Sequence, residues 1–337
     1  MTTKQQIAVL LEQHETEYIS GSAIADALGL TRAAVWKCVK QLKAEGYDIE
    51  SAKKGYRLGD NNNALSEGLV RRYLCGAAER KSGSAEGGAD GLEERISLEV
   101  LPSVDSTNNY LKRKASQTLS WHAVIASEQT AGRGRMGRTF ESPAGTGVYL
   151  SVLLRPDLPA QQAVRLTTAA AVAACLAIEE CTDSQASIKW VNDVYVNGKK
   201  TCGILTEASI DLESGGLDWA VMGIGFNVYE PEGGFPEEIR NIAGAVTGKR
   251  LRDLRSRMAA SFLRHYYDIV ETRQLKGYPD EYIKRSFVIG KRINVLRSGT
   301  SRPAKALSID EECRLLVEYE DGTQEALSSG EVSIRPV

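Results

Sequence analysis

A segment rich in glycine and arginine, SEQTAGRGRMGR at positions 127–138, separates two apolar runs at 122–126 and 147–154. Short apolar runs bounded by polar turns predict buried strands, so the segment should be a loop between strands of one sheet. Its glycines let the backbone adopt positive φ and approach a ligand closely. Its arginines carry planar forks of donors that suit carboxylates and phosphates. This Gly–Arg loop is therefore predicted to wrap a small polyanion and to be mobile while empty.

Two other interpretations of the Gly–Arg loop agree less well with its sequence. An Arg/Gly-rich tether is the first, but a disordered tether rarely lies between two strongly apolar strands. A P-loop is the second, and it is excluded because the segment lacks the Gly-Lys-Ser/Thr ending that the Walker geometry needs.

Length and composition limit the classes of protein. A chain of 337 residues is too long for one ordinary core and predicts two or three domains. A hydrophobic content of 42% and a charged content of 26% are typical of soluble globular proteins. With a net charge of -2, any contact with nucleic acid requires a local basic patch. No apolar run reaches the roughly 18 residues that span a bilayer, and no signal peptide is evident, so we expect a cytoplasmic protein.

Cysteine and histidine show no pattern that indicates a metal site or a nucleophile. The six cysteines are scattered without a C-x-x-C pair, and the three histidines are far apart in sequence. We therefore expect reduced thiols, no zinc site, and no side-chain nucleophile paired with a base.

The first sixty residues predict a winged helix-turn-helix domain. Helical periodicity covers 4–13, 23–28 and 31–45, with Gly29 and Gly46 ending the second and third helices. Two short strands with a basic tip then form a wing. The residues predicted to contact DNA are Thr31, Arg32, Ala33, Trp36, Lys37, Lys53 and Lys54. A small protein-interaction module remains the alternative, and half-site spacing on DNA would require a dimer.

The rest of the chain divides into a linker and two further domains. Residues 61–95 form the linker, whose part at 77–91 is rich in Gly, Ser and Ala and cannot bury enough surface to fold. Predicted strands and helices alternate over 96–285, which indicates a mixed α/β domain closed by a long helix at 251–271. Residues 286–337 predict short strands joined by turns, as in a small β-barrel.

Three weaker signals lie at the ends of predicted elements. Residues 105–109 (DSTNN) precede a helix, where free amides suit an anion or an amide, although a plain cap is the simpler interpretation of this segment alone. Lys189 lies where a strand meets an Asn-Asp turn, before a type I′ hairpin at Asn197-Gly198. Most lysines in such places are merely solvated. Asn227 ends an apolar strand that contains two glycines.

Together, four motifs resemble those of the bacterial biotin–protein ligases, in particular the bifunctional type that also represses biotin genes. The motifs are DSTNN at 105–109, the Gly–Arg loop, KWVND at 189–193 and GIGFNV at 223–228. The resemblance spans nearly the whole chain and implies an α+β fold. Its parts would be a winged helix-turn-helix at 1–60, a central ligase domain of the class II synthetase type, and a C-terminal SH3-like β-barrel. The chain departs from the family at Val191, usually Pro, and at Phe226, usually Ile.

The resemblance implies a two-step reaction that uses biotin, ATP and Mg²⁺. Lys189, Arg133 and Arg135 would be its catalytic cations. The implied biotin contacts are Ser106, Thr107, Asn108, Gln129, Gly132, Arg133, Gly134, Arg135 and Lys189. The implied nucleotide contacts are Arg138, Phe140 and Asn227. No motif for a protein-held metal is present, so magnesium would arrive with ATP, with Asn227 as its nearest candidate ligand.

The implied partners are operator DNA, the biotin carboxyl carrier domain of a carboxylase, and a second copy of the chain when the adenylate is bound. Two alternatives are a biotin sensor that binds DNA without catalysis and a lipoate-type ligase. Lys189 and the complete Gly–Arg loop argue against a sensor, because a sensor has little need of cations directed at phosphate. The loop also argues for biotin, since the related lipoate ligases do not share it.

Overall fold

The computed structural model describes residues 2–14, 17–44, 46–75, 91–211, 213, 215–297, 300–328 and 330–334. The N-terminal elements and the first linker helix are α1 Thr3–Gln13, α2 Gly21–Leu28, α3 Arg32–Ala44, β1 Ile49–Ala52, β2 Gly55–Leu58 and α4 Glu67–Cys75. Ser20 caps α2, which ends at Gly29 with φ 66°, and Thr31 Oγ1 accepts a hydrogen bond from the Ala34 amide at 3.2 Å. The predicted helix-turn-helix and its two-stranded wing are therefore present.

Buried polar contacts join this N-terminal domain to the rest of the chain. Glu12 at the end of α1 is only 4% exposed, and its carboxylate accepts from the hydroxyls of Ser66 at 2.7 Å and Tyr47 at 3.0 Å. Burial, the largest influence, raises the pKa of Glu12. In the linker, the Asn62 amide donates to Asp253 Oδ1 at 2.5 Å. The linker residues near Asn62 are thus held against the central domain.

The central domain is built on a sheet of strand order β3-β4-β5-β9-β8-β7-β6. The strands are β3 Ser97–Leu101, β4 His122–Ala126, β5 Gly147–Leu154, β6 Ala186–Lys189, β7 Asp193–Val196, β8 Lys199–Ile210 and β9 Leu217–Asn227. β3 and β4 are parallel, and the other neighbouring pairs are antiparallel. The helices of this part are α5 Leu92–Arg95, α6 Thr107–Lys114, α7 Val164–Cys181, α8 Leu254–Tyr267 and α9 Tyr278–Arg285.

The two faces of this sheet have different chemistry. On one face, alternate apolar residues of the middle strands belong to the main buried core, together with residues of α7 and α8. On the other face, the strand register aligns Gly203 with Gly225 and Tyr149, and Gly223 with Ser151 in the next row. Because side chains alternate along a strand, the three glycines and Ser151 leave the middle of the second face without bulky side chains. Other segments of the chain approach the sheet there.

The C-terminal strands form a separate antiparallel sheet of order β13-β12-β11-β10-β14. They are β10 Arg292–Arg297, β11 Thr300–Ile309, β12 Leu315–Tyr319, β13 Gln324–Leu327 and β14 Glu331–Ile334. The outer strands β13 and β14 are not paired with each other among the described residues, so closure into an SH3-like barrel stays a prediction. The Trp190 indole N–H donates to the Cys313 carbonyl at 2.9 Å and links this sheet to the central domain.

One expectation about helices needs correction, and one helix was not predicted. The long helix predicted at 251–271 is α-helical only as α8 and continues as one π-helical turn over Asp268–Thr272. Helix α9 was not predicted, because two of its eight positions are Pro279 and Asp280, poor helix formers, and its Pro lies in the first turn, where it is tolerated. Of the predicted loop at 77–91, residues 77–90 lie outside the described residues. No described helix is long and apolar enough to cross a membrane.

Candidate functional site

A cleft opens over the glycine-bearing face of the central sheet. Its walls come from the start of α6, the Gly–Arg loop, the turn between β6 and β7, and the C-terminal domain. The predicted site residues that line it are Ser106, Thr107, Asn108, Gln129, Arg133, Gly134, Arg135, Arg138, Phe140 and Lys189. Segments far apart in sequence therefore meet at one place.

At one end of the cleft, neutral polar side chains form a hydrogen-bonded network. Gln129 Oε1 accepts from the Thr107 amide at 2.9 Å and from the Thr107 hydroxyl at 3.1 Å. The Ser151 hydroxyl donates to Asn108 Oδ1 at 2.6 Å, and Asn108 Nδ2 donates to Glu207 at 2.9 Å. Hydroxyls and amides both donate and accept, so this end suits a neutral ligand group that also does both.

Glycines in the sheet allow these side chains to lie against the backbone. A Cβ built on Gly223 would overlap the amide of Asn108, and a Cβ on Gly225 would overlap the ring of Phe140. The Phe140 ring also packs edge-on against Tyr149, with 6.4 Å between the ring centroids. Glycine is therefore required at both positions for close approach rather than for backbone conformation.

The Gly–Arg loop folds back on itself as a narrow hairpin. The Phe140 amide donates to the Gly132 carbonyl at 2.9 Å, and the Gly134 amide donates to the Arg138 carbonyl at 2.7 Å. Its tip is a single turn over Arg135–Gly137. This pairing brings both flanks of the loop over the glycine-bearing face and holds its arginines at the mouth of the cleft.

Arg133 and Arg135 are anchored to different parts of the molecule. Arg133 Nη1 donates to Asn109 Oδ1 at 3.0 Å and lies 3.5 Å from Glu207 Oε1. Arg135 Nη1 donates to Asn192 Oδ1 at 2.8 Å, while its Nη2 donates to the Gly330 carbonyl at 2.9 Å. Arg133 thus adjoins the neutral polar end, and Arg135 joins the loop to the β6–β7 turn and to the C-terminal domain.

Glu207 connects the polar network with the cations. Lys112 Nζ lies 2.7 Å from its carboxylate, on the side opposite the contact with Asn108. Burial opposes ionisation of Glu207, but the hydrogen bonds from Lys112 and Asn108 and the charges of Lys112 and Arg133 outweigh it and lower the pKa. Glu207 was not predicted as a site residue, because nothing in the sequence of β8 distinguishes it from an ordinary surface carboxylate.

Lys200 is a cation of the cleft that the sequence interpretation missed. Its Nζ lies 2.6 Å from Asp193 Oδ1. A Cβ on Gly203 would lie 3.2 Å from the Phe140 ring and 3.3 Å from Lys200 Cε, so both side chains lie near Gly203. Lys189, the predicted catalytic lysine, ends the edge strand β6 and also lines a second, shallower pocket. Only the pairing of β7 with β8 reveals that Lys200 belongs to the cleft.

Two predicted contacts do not line the cleft. A Cβ on Gly132 would overlap the Phe140 carbonyl and approach the Ser142 hydroxyl, so Gly132 permits the loop to fold rather than offering a ligand surface. Asn227 pairs with Gly147 at the end of β9, and its carbonyl accepts from the Val246 amide at 2.8 Å. The described residues contain no group of three or more His, Cys, Asp or Glu side chains that could hold a metal ion.

The predicted DNA-contacting residues form a second candidate surface. All seven are exposed, and they lie at the start and on one side of α3 and at the tip of the β1–β2 hairpin. Trp36 is 60% exposed, with Lys40 Nζ 5.6 Å from its ring centroid. At the wing, Lys54 Nζ lies 4.5 Å from the centroid of the Tyr18 ring. An exposed tryptophan among cations is unusual for a purely solvated helix face.

Comparison with known proteins assigns each part of the chain to a family. An HTH domain matches residues 3–57, the biotin/lipoate A/B protein ligase family matches 100–227, and the biotin protein ligase C-terminal domain matches 288–335. The chain belongs to the biotin protein ligases, which confirms the predicted resemblance. The chain is 35% identical to the bifunctional ligase/repressor BirA of Bacillus subtilis, and the alignment covers 97% of this chain and 98% of that protein.

Other relatives agree. The bifunctional ligase/repressor BirA of Escherichia coli is 29% identical, over 95% of this chain and 94% of that protein. The solved structure of the biotin protein ligase from Aquifex aeolicus in complex with biotin and ATP has a TM-score of 0.58 and 29% identity, and it covers 72% of this chain and 99% of that chain.

Proposed function

We propose that this protein is an ATP-dependent biotin–protein ligase that also represses biotin genes by binding operator DNA. The observation that carries the ligase assignment is the cleft itself. Its lining combines a network of neutral polar side chains, which suits a ureido group, with several cations, which suit a carboxylate and phosphates. The relatives that match nearly the whole length are bifunctional ligase/repressors.

In the first step, a biotin carboxylate oxygen attacks the α-phosphate of ATP. A phosphorus–oxygen bond to the carboxylate forms, the bond to the β-phosphate breaks, and pyrophosphate leaves with its electron pair. Both reactants are anions, so the main requirement is to neutralise them while they are held in line. Ser106, Thr107, Asn108 and Gln129 would hold the ring system. The cations that line the cleft would face the carboxylate and phosphates: Arg133, Arg135, Arg138, Lys189 and Lys200.

In the second step, the ε-amine of an acceptor lysine attacks the carbonyl carbon of the mixed anhydride. An amide bond forms, AMP leaves, and the amine loses a proton to solvent or phosphate. No side-chain nucleophile is needed, which agrees with a sequence that shows none. Closure of the Gly–Arg loop would keep water away from the anhydride until the acceptor, the biotin carboxyl carrier domain of a carboxylase, arrives.

The two lysines of the cleft, Lys189 and Lys200, differ in their surroundings and therefore in their expected contact with the phosphate. Lys200 lies near Gly203 and is paired with Asp193 at 2.6 Å, whereas Lys189 ends β6 and lines the same cleft. We therefore propose Lys189 as the cation between the carboxylate and the α-phosphate, with Lys200 as a supporting charge. Replacing either by alanine tests this assignment. We expect Lys189→Ala to lower adenylate formation by about 100-fold or more, and Lys200→Ala to lower it less. The reverse order would assign the central role to Lys200.

The direct test of the ligase is biotin-dependent exchange of labelled pyrophosphate into ATP. We expect exchange with biotin and none without it. No exchange, together with tight biotin binding, would indicate a sensor that does not catalyse. Exchange that depends on lipoate instead of biotin would indicate a lipoate-type ligase. Magnesium would enter this scheme bound to ATP, with Asn227 as its nearest candidate ligand.

The repressor function rests on the exposed cationic face of α3 and the wing. A single winged helix contacts only one half-site, so a palindromic operator requires two copies. We propose that the adenylate-bound chain forms a homodimer and binds biotin-operon DNA. Gel-shift assays with biotin and ATP, and with neither, test this idea. Equal binding under both conditions would refute adenylate control.

The remaining structural assignments go with this proposal. They are domains at 1–60, 96–285 and 286–337 separated by a linker at 61–95, a class II synthetase-like central domain, and a closed SH3-like barrel at the C-terminus.

A further inference from the structure

We propose that Asn192 is a positioning residue that holds Arg135 over the cleft and thereby retains the reaction intermediate. This inference rests on the proposed ligase function and concerns a residue that forms no predicted contact with biotin or nucleotide. It starts from the guanidinium of Arg135, whose two terminal nitrogens donate to Asn192 Oδ1 at 2.8 Å and to the Gly330 carbonyl at 2.9 Å.

The side chain of Asn192 has only one orientation that satisfies its neighbours. Its Nδ2 donates to the Ile204 carbonyl at 2.9 Å, and the Ile204 amide donates back to the Asn192 carbonyl at 3.0 Å. A flipped amide would set its NH₂ group against the guanidinium and its oxygen against a carbonyl, so both contacts would be repulsive. The backbone of β8 therefore fixes the direction in which the Asn192 oxygen faces.

This arrangement connects a rigid element to a glycine-rich one. Ile204 lies in the middle of β8 and is buried in the main core, so the acceptor oxygen is attached to the sheet. Arg135 begins the turn at the tip of the Gly–Arg loop, where Met136 and Gly137 have φ of 55° and 75°. A loop of this kind has many conformations when nothing holds it, and each would place Arg135 differently. The contact with Asn192 reduces the number of conformations that the loop can adopt.

The second anchor of Arg135 cannot replace the first. The Gly330 carbonyl belongs to the C-terminal domain, and Val332 of the same segment lines the cleft. Without Asn192, the contact with Gly330 would couple Arg135 to the C-terminal domain. With the contact to Asn192 as well, Arg135 keeps its position relative to Gly203 and Gly225 of the sheet beneath the cleft. Asn192 is thus the contact that ties the position of the loop tip to the sheet on which the ligands lie.

The consequence is a specific defect when Asn192 is lost. Asn192→Ala should leave the neutral polar end intact and therefore bind biotin normally. It should release biotinyl-adenylate faster, by about tenfold, because a hydrogen bond to a charged group is lost from the closed state. The measurement is a chase of preformed labelled adenylate with excess unlabelled biotin and ATP. Labelling of added free lysine gives a second readout.

A double-mutant cycle with Arg135→Ala separates positioning from a general structural effect. If Asn192 acts through Arg135, adding Asn192→Ala to the Arg135→Ala variant leaves the release rate unchanged. Additive effects in the cycle would overturn the proposal. So would a single Asn192→Ala variant that releases adenylate at the wild-type rate while still forming it.

A conservative variant guards against loss of folding. Asn192→Asp keeps an oxygen facing Arg135 but replaces the donor to Ile204 with an acceptor. It should unfold at lower temperature than the wild type yet retain adenylate better than Asn192→Ala. Retention no better than that of the alanine variant would refute positioning by the oxygen. If the wild-type protein forms no adenylate at all, the ligase proposal fails instead, which keeps the two failures distinct.

Discussion

Replacing Gly223 by alanine tests whether the absence of a side chain at this position is needed for the geometry of the polar end of the cleft. The added Cβ would overlap Asn108 Oδ1 and stand 2.8 Å from Asn108 Cγ, closer than such atoms can approach. Gly223 lies within β9, between β5 and β8, so the strand cannot move aside easily. Asn108 must therefore shift, although it is 4% exposed and lies in the first turn of α6.

The size of the effect follows from the contacts of Asn108. Its amide accepts from Ser151 at 2.6 Å and donates to the Leu205 carbonyl at 3.2 Å and to Glu207 at 2.9 Å. Each such bond contributes about 1 kcal/mol net. Forcing an extra methyl group into a packed site costs about 1–3 kcal/mol. Since a shift of Asn108 relieves the overlap by giving up some of these bonds, we expect a total loss of about 2–3 kcal/mol.

Two measurements check this expectation. Urea unfolding should show the loss in the free energy of unfolding, and titration calorimetry should show biotin bound at least about tenfold more weakly, equivalent to about 1.4 kcal/mol. Gly248→Ala is the matched control, because a Cβ there meets no atom within 4 Å, so both quantities should stay within about 0.5 kcal/mol of the wild type. If Gly223→Ala behaves like this control in both assays, the glycine does not shape the pocket.

Three further predictions concern other parts of the chain. Arg255 is 2% exposed and donates to the Gly147 carbonyl at 2.7 Å and to Ser127 at 2.9 Å. Arg255→Leu should therefore lower the free energy of unfolding, measured in urea, by about 3 kcal/mol. A change under about 1 kcal/mol would contradict this. Because burial raises the pKa of Glu12 above 4.5, the stability that its protonated form contributes is complete below pH 4.5 and is lost as pH rises through the folded-state pKa. Glu12→Gln should therefore gain stability relative to the wild type between pH 4.5 and 7, and a difference independent of pH would refute the assignment. Trp36→Ala should weaken operator binding without changing pyrophosphate exchange, as gel shifts and the exchange assay can show together.

Much of the local structure could be predicted because it depends on near neighbours. The apolar runs at 122–126 and 147–154 became β4 and β5 with the predicted bounds. The Asn-Gly pair at Asn197 and Gly198 adopts φ of 51° and 74°, as the predicted type I′ hairpin requires. Helix ends at caps and glycines followed the same logic. In each case, the information lies within a few residues along the chain.

The residues that were missed depend on distant partners. Lys200 enters the cleft only because β7 and β8 pair in one register, and Glu207 becomes a site residue only through its contacts with α6 and the Gly–Arg loop. In the other direction, Gly132 matched a ligand-binding motif but contacts its own loop. A motif gives the residue types of a site, whereas the sheet register decides which of them face the ligand.

The sequence by itself determined most of the elements, their order, the family and ten of the residues that line the cleft. Only the tertiary structure decided how those residues are held. Arg135 meets Gly330 across 195 positions, and Asn62 meets Asp253 across 191, so no local pattern could reveal either contact. The physical reason is that hydrogen bonds and packing act over a few ångströms of space, and folding alone determines which distant parts of the chain come that close.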